Sequence, residues 1–140
     1  MSIDLETPKN REAILESISP VEAKDNHDLL RDIFLLEMEY RRSEEDFEYF
    51  ENLYHCGLLL YFVGDPSDVS LMWDAKNINM DTGCGFDIET LFGAGFEETM
   101  NYLEKTGLSD LKSELSNLGE VASKNALEEW AEFKRNYYYA

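Results

Sequence analysis

From residue 29 to residue 54 the apolar positions recur at a helical interval. Leu29, Ile33, Leu36, Tyr40, Ser43, Phe47, Phe50 and Tyr54 are separated by 4, 3, 4, 3, 4, 3 and 4 residues, and Ser43 alone is polar. That spacing places them on one face of a helix. A single helix over 29–54 would be about 39 Å long at about 1.5 Å per residue. Ser43 with Asp46 three residues on also resembles a capping box, so a restart and two helices are equally compatible with the pattern. Before this stretch, Thr7-Pro8 reads as an N-cap with proline in the first turn of a short helix over 8–18, closed by Ser19-Pro20.

After it the pattern changes. Gly57 reads as a helix stop, the run Leu58–Val63 as a buried strand, and 69–73 (VSLMW) as the returning strand of a hairpin. Between 78 and 88 the even positions are Ile, Met, Thr, Cys, Phe and Ile, whereas the odd positions from 77 to 87 are Asn, Asn, Asp, Gly, Gly and Asp. Alternation of period two predicts a third strand, bent at its glycines, with Ile78, Met80, Cys84, Phe86 and Ile88 inward. Helical signals resume from about residue 96, with Gly107 and Gly119 as stops and Ser109 and Ser123 as caps. The last helix carries Ala126, Leu127, Trp130, Ala131 and Phe133, and the terminal NYYYA either docks on the domain or extends from it. The predicted architecture over 1–140 is therefore one α+β domain, a small antiparallel sheet of about three strands flanked by N-terminal and C-terminal helices.

Composition narrows the class of partner. Of the 140 residues, 30 are acidic and 12 basic, a formal net charge of −18 with a pI near 4.3, while 44% are hydrophobic. That much apolar content predicts a packed core. The charge disfavours nucleic acid and anionic membrane as partners and favours cations and basic proteins. The acids are unevenly spread. Residues 25–55 hold 10 acids and 3 bases, and residues 57–104 hold 9 acids and one base, Lys76. The segment SEEDFEYFE has five acids in nine residues, and on one helix Glu44, Glu48 and Glu51 would share a face at mutually repulsive spacings. The amino terminus lacks the basic start and apolar block of a secretory signal, and the longest apolar run is too short to span a bilayer. The expected location is the cytoplasm, with Cys56 and Cys84 as free, buried thiols.

Residues 77–89 (NINMDTGCGFDIE) carry the most suggestive chemistry. Read as a calcium loop from Asn77, the ligands Asn79 and Asp81 fall in place, but Gly83 and Glu89 each come one residue late. The Asp-Thr-Gly triplet occurs once, whereas aspartic-protease chemistry needs two carboxylates sharing a proton. The glycine pairs at 83/85 and 93/95 lack the lysine and the spacing of a phosphate loop. His27 and His55 form no local catalytic or zinc pattern with the cysteines. No cofactor is expected. The readings that remain are an acidic protein that binds a basic protein, a cation-binding or regulatory domain using Asp81, Asp87 and Glu89, and an enzyme whose carboxylates the sequence does not single out.

A one-domain, acidic, motif-free chain with segments such as SEEDFEYFE and DTGCGFDIE resembles the bacterial immunity proteins, small cytosolic inhibitors of cognate toxins. The resemblance is one of character over the whole chain. It implies no catalysis and a tight one-to-one complex in which anionic side chains occlude a basic active site such as that of a nuclease. The partner-binding residues it points to are Glu44, Glu45, Asp46, Glu48, Tyr49, Glu51, Asp81, Asp87 and Glu89.

Overall fold

The computed structural model describes residues 4–43 and 48–139. Among these residues every regular element is helical, which overturns the predicted three-stranded sheet. The α-helices are α1 (Pro8–Ser17), α2 (His27–Ser43), α3 (Glu51–Val63), α4 (Val69–Lys76), α5 (Met80–Gly85), α6 (Phe96–Lys105), α7 (Ser109–Leu115) and α8 (Lys124–Tyr139). Short 3₁₀ segments at Pro20–Asn26, Pro66–Asp68, Ile88–Phe92 and Ser116–Leu118 join them.

The fold is built around α3. Asn52, Leu53 and every residue from His55 to Leu60 are buried. A helix that is apolar all round shows no amphipathic period, and its short apolar run is indistinguishable from a buried strand. That is why Leu58–Val63 reads as a strand. Gly57 lies inside this helix and does not end it. A Cβ there would lie 3.0 Å from the Phe86 ring, so the glycine forms the notch into which Phe86 packs. The stop falls instead at Gly64, whose φ of 75° is left-handed and whose N–H donates to the Leu60 carbonyl.

The expected return strand is α4, with Val69, Met72 and Ala75 buried at three-residue intervals. The expected third strand is a loop and one short helix. The Asn79 side chain accepts from the Thr82 N–H, and the Thr82 hydroxyl in turn receives the Asn79 N–H. This reciprocal cap starts α5. It leaves Met80 and Cys84 exposed, against the predicted inward face, whereas Phe86 is buried and Ile78 and Ile88 are half-buried against the core. Lys76 then donates to the Gly83 and Phe86 carbonyls, both at 2.7 Å, and satisfies the carboxyl end of α5.

The 29–54 pattern divides into two helices, α2 and α3. Asp46, the partner in the proposed capping box, lies outside the described residues. The buried face of α2 is Leu30, Ile33, Phe34, Glu37, Met38 and Arg41, turned by about a residue from the predicted stripe. Its two charged members find partners across the fold. The Arg11 Nε donates to Glu37 Oε1 at 2.7 Å, and Asn52 Nδ2 donates to the same oxygen at 2.9 Å and to the Pro8 carbonyl at 3.0 Å. This buried network ties α1, α2 and α3 together. The predicted Thr7 cap, the Gly107 turn at φ 74° and the Ser123 cap of α8 are all present.

Candidate functional site: an aromatic groove beside α8

The carboxyl-terminal tyrosines dock. On α3 and α8 together, His55 Nε2 lies 2.6 Å from the Tyr139 hydroxyl, which itself donates to the Ile18 carbonyl at 2.7 Å. With its one proton so used, the Tyr139 oxygen accepts from the imidazole N–H. The Tyr138 ring stacks on His55 at 4.5 Å between centroids and 9° between planes. Burial lowers the His55 pKa to about 4. Glu51, at the start of α3, accepts from the Tyr138 hydroxyl at 2.6 Å and from the Tyr137 hydroxyl at 3.2 Å. Burial, then the Glu51 carboxylate, pushes the Tyr138 phenol well above its usual range.

This clasp makes one wall of a groove of about 620 Å³ between the start of α3, α5 and the end of α8. Phe50, Tyr54, Phe133, Tyr137 and Tyr138 supply its aromatic surface, and Glu51 and Asp81 its acids. Phe50 is 44% exposed, Phe133 67% and Tyr137 60%. The backbone builds this presentation at a cost. Tyr49 adopts a φ of 61°, a left-handed conformation rare for a bulky residue. The turn brings the Phe50 carbonyl within 2.7 Å of Arg41 Nη2 and leaves its ring edge-on to Tyr54 at 6.4 Å.

Two bases also border the groove, and both have partners in the fold. Arg41 is buried against the Phe50 carbonyl and lies 5.4 Å from the Tyr54 ring centroid. Lys134 lies 3.0 Å from Asp87, which also accepts from Trp130 Nε1 at 2.9 Å. Elsewhere Arg11 is paired with Glu37 and Arg31 with the buried Asp68, which His27 also contacts at 2.8 Å. Lys76, the single base between 57 and 104, caps α5. Many cations are thus held by the fold, while Asp74, Glu97, Glu98, Glu128, Glu129 and Glu132 are exposed.

Of the acids singled out in the sequence, Glu51 and Asp81 meet in this groove, although 30 residues apart in the chain. Asp87 sits behind it, engaged with Trp130 and Lys134. Glu48 is exposed beside Tyr49 and Phe50, but Glu48 and Glu51 do not share a helix, because α3 starts at Glu51. Tyr49, expected on the surface, is half-buried, and Phe50, expected in the core, is the more exposed of the two. Glu89 is half-buried in the 3₁₀ segment and does not line the groove. Glu44, Glu45 and Asp46 lie outside the described residues. In the sequence Phe133 reads as an apolar residue of the last helix and Tyr137 as part of the terminal NYYYA, neither as a binding residue, although their i, i+4 spacing on a helix outside the Leu127/Ala131 face is a signal for it.

The 77–89 segment does not assemble a cation site. Asn79 caps α5, Asn77 Nδ2 donates to the Trp73 carbonyl and Asp87 faces a lysine and an indole. Among the described residues no three His, Cys, Asp or Glu side chains converge as metal ligands, and no helix is long and apolar enough to cross a membrane. Cys56 is buried and donates to the Leu30 carbonyl, whereas Cys84 is exposed at the groove. No family model matches the chain, and neither a curated protein nor a solved structure is significantly similar to it.

Proposed function

We propose that the chain is a small acidic cytosolic inhibitor that binds a basic protein through the groove beside α8. The partner most consistent with the resemblance is a toxin domain, which makes the chain an immunity protein of a bacterial cell. The observation that carries this reading is the groove itself: three exposed aromatic side chains surround Glu51 and Asp81 on a surface whose nearest bases are engaged within the fold. Aromatic anchors that exclude water are what hot spots of protein interfaces are made of, and acids beside them favour a cationic partner. The surrounding acidity accelerates encounter in a manner that salt suppresses. Inhibition then follows by occlusion, with carboxylates of this chain meeting basic groups of the partner.

The test is affinity capture from the native cell extract at low salt, run in parallel on the wild type and on the double variant Asp81→Lys with Phe133→Ser. Both side chains are exposed, so neither change leaves a buried group unpaired, and the circular dichroism of the variant is compared with the wild type before capture. The reading expects one stoichiometric basic protein, eluted by rising salt and absent from the variant column. Recovery of the same proteins on both columns, or of none, contradicts it.

A further inference from the structure

The groove does not end at Phe133. It continues onto the outer face of α8, where Glu128, Glu129, Glu132 and Phe133 line a shallower depression of about 510 Å³ with Asn125 and Asn136, and no base lines it. The inner side of α8 is taken up by Leu127 and Ala131. On the outer side, residues four apart form a ridge: Asn125, Glu129, Phe133 and Tyr137, each of them exposed. Such a ridge is the unit that packs into the groove of another helix, at interaxial distances of about 8–10 Å. Its composition is graded. The amino-terminal half is acidic, the carboxyl-terminal half is aromatic, and the aromatic half opens into the groove lined by Phe50 and Tyr54.

We infer that this surface receives a basic amphipathic helix of the partner. The inference rests on the basic-partner reading above and names the element that would bind. Bulky apolar side chains spaced at i, i+3 or i+4 enter the groove against Phe50, Phe133 and Tyr137, the mode by which amphipathic helices occupy apolar clefts. Lysine or arginine side chains flanking that stripe reach Glu128 and Glu129, and compete with the exposed Arg135, 4.0 Å away, for Glu132. The bases at the groove do not oppose this arrangement, because Arg41 is buried against the Phe50 carbonyl and Lys134 is paired with Asp87.

The test uses the full chain, isotope-labelled for amide spectra and titrated at low salt with an amidated peptide of leucines and lysines in a helical period. A peptide of identical composition in scrambled order is the control. The expected result is that the periodic peptide gains helicity, shifts the signals of Phe50, Phe133 and Tyr137, and binds at least about tenfold more tightly than the scrambled one, a margin worth about 1.4 kcal/mol. Phe133→Ser should remove most of that margin, and its exposure leaves the fold intact. Equal binding of the two peptides, or shifts spread over the whole surface, overturns the helix inference while the basic-partner reading stands. Binding of neither peptide at low salt overturns both.

Discussion

Acid should loosen the carboxyl-terminal clasp through His55. The imidazole is 6% exposed, stacked on Tyr138 and within hydrogen-bond distance of Tyr139, with Glu51 one turn earlier on α3 engaged by Tyr137 and Tyr138. Burial lowers its pKa from the ordinary 6.5 to about 4. In the unfolded chain the same imidazole takes up its proton near 6.5. Between these values the unfolded state binds more protons than the folded state, so stability rises with pH across that window. His55 therefore stabilises fully above about pH 6.5, loses its contribution as the pH falls towards 4, and changes little below that. At about 1.4 kcal/mol per pH unit the loss is about 3 kcal/mol. The assay is urea unfolding at several pH values between 7 and 4, on the wild type and on His55→Phe, which keeps an aromatic ring beside Tyr138. Carboxylates titrate in both proteins and cancel in the difference. The wild type should lose about 3 kcal/mol more than the variant over this range. Parallel curves, within about 0.5 kcal/mol, refute the argument that a buried neutral His55 holds the clasp.

Three further outcomes follow from the packing. Glu37→Ala, which leaves Arg11 buried without its carboxylate, should cost about 3–5 kcal/mol in chemical denaturation, and a cost under about 1 kcal/mol would show that the α1–α2–α3 network does not form. Gly57→Ala should destabilise by about 1–3 kcal/mol because the new Cβ meets the Phe86 ring, despite the better helix propensity of alanine; a gain in stability would place the glycine away from Phe86. Tyr49→Gly relieves the left-handed backbone and should raise the unfolding free energy by about 1 kcal/mol, whereas a loss of that size would show that the side chain outweighs the strain.

The elements that were legible in the sequence are those fixed by local chemistry. Thr7 ahead of proline, the left-handed Gly107 and the Ser123 cap each act within a few residues, and the structure has all three. The central helix was illegible for the opposite reason. Residues on every side of α3 are buried from His55 to Leu60, so it carries no amphipathic signature, and Gly57 reads as punctuation when it is a packing notch for a residue 29 positions away. Glu37 and Arg41 hide in the core face of α2 because their partners, Arg11, Asn52 and the Phe50 carbonyl, come from other elements. The alternation over 78–88 arises from a capped turn and a short helix, where Asn79 and Thr82 satisfy each other. At the groove, the acidity of Glu51 and Asp81 was visible in the chain, but their convergence was not, since it depends on α5 and α8 closing against the start of α3. The aromatic half of the surface was hidden differently. Phe133 counts as one more apolar residue of the last helix until its neighbours Leu127 and Ala131 are seen to occupy the buried side.

The central claim is that this groove and the face of α8 beside it bind and block a basic protein. The most direct measurement titrates the captured partner's own activity with wild-type protein and with the double variant Asp81→Lys, Phe133→Ser, at low and at high salt. The account predicts loss of partner activity at one equivalent of wild type, slower onset at high salt, and an inhibition constant at least about a hundredfold weaker for the variant, a change worth about 2.7 kcal/mol. Equal inhibition by both proteins, or a bound partner whose activity is untouched, would contradict it.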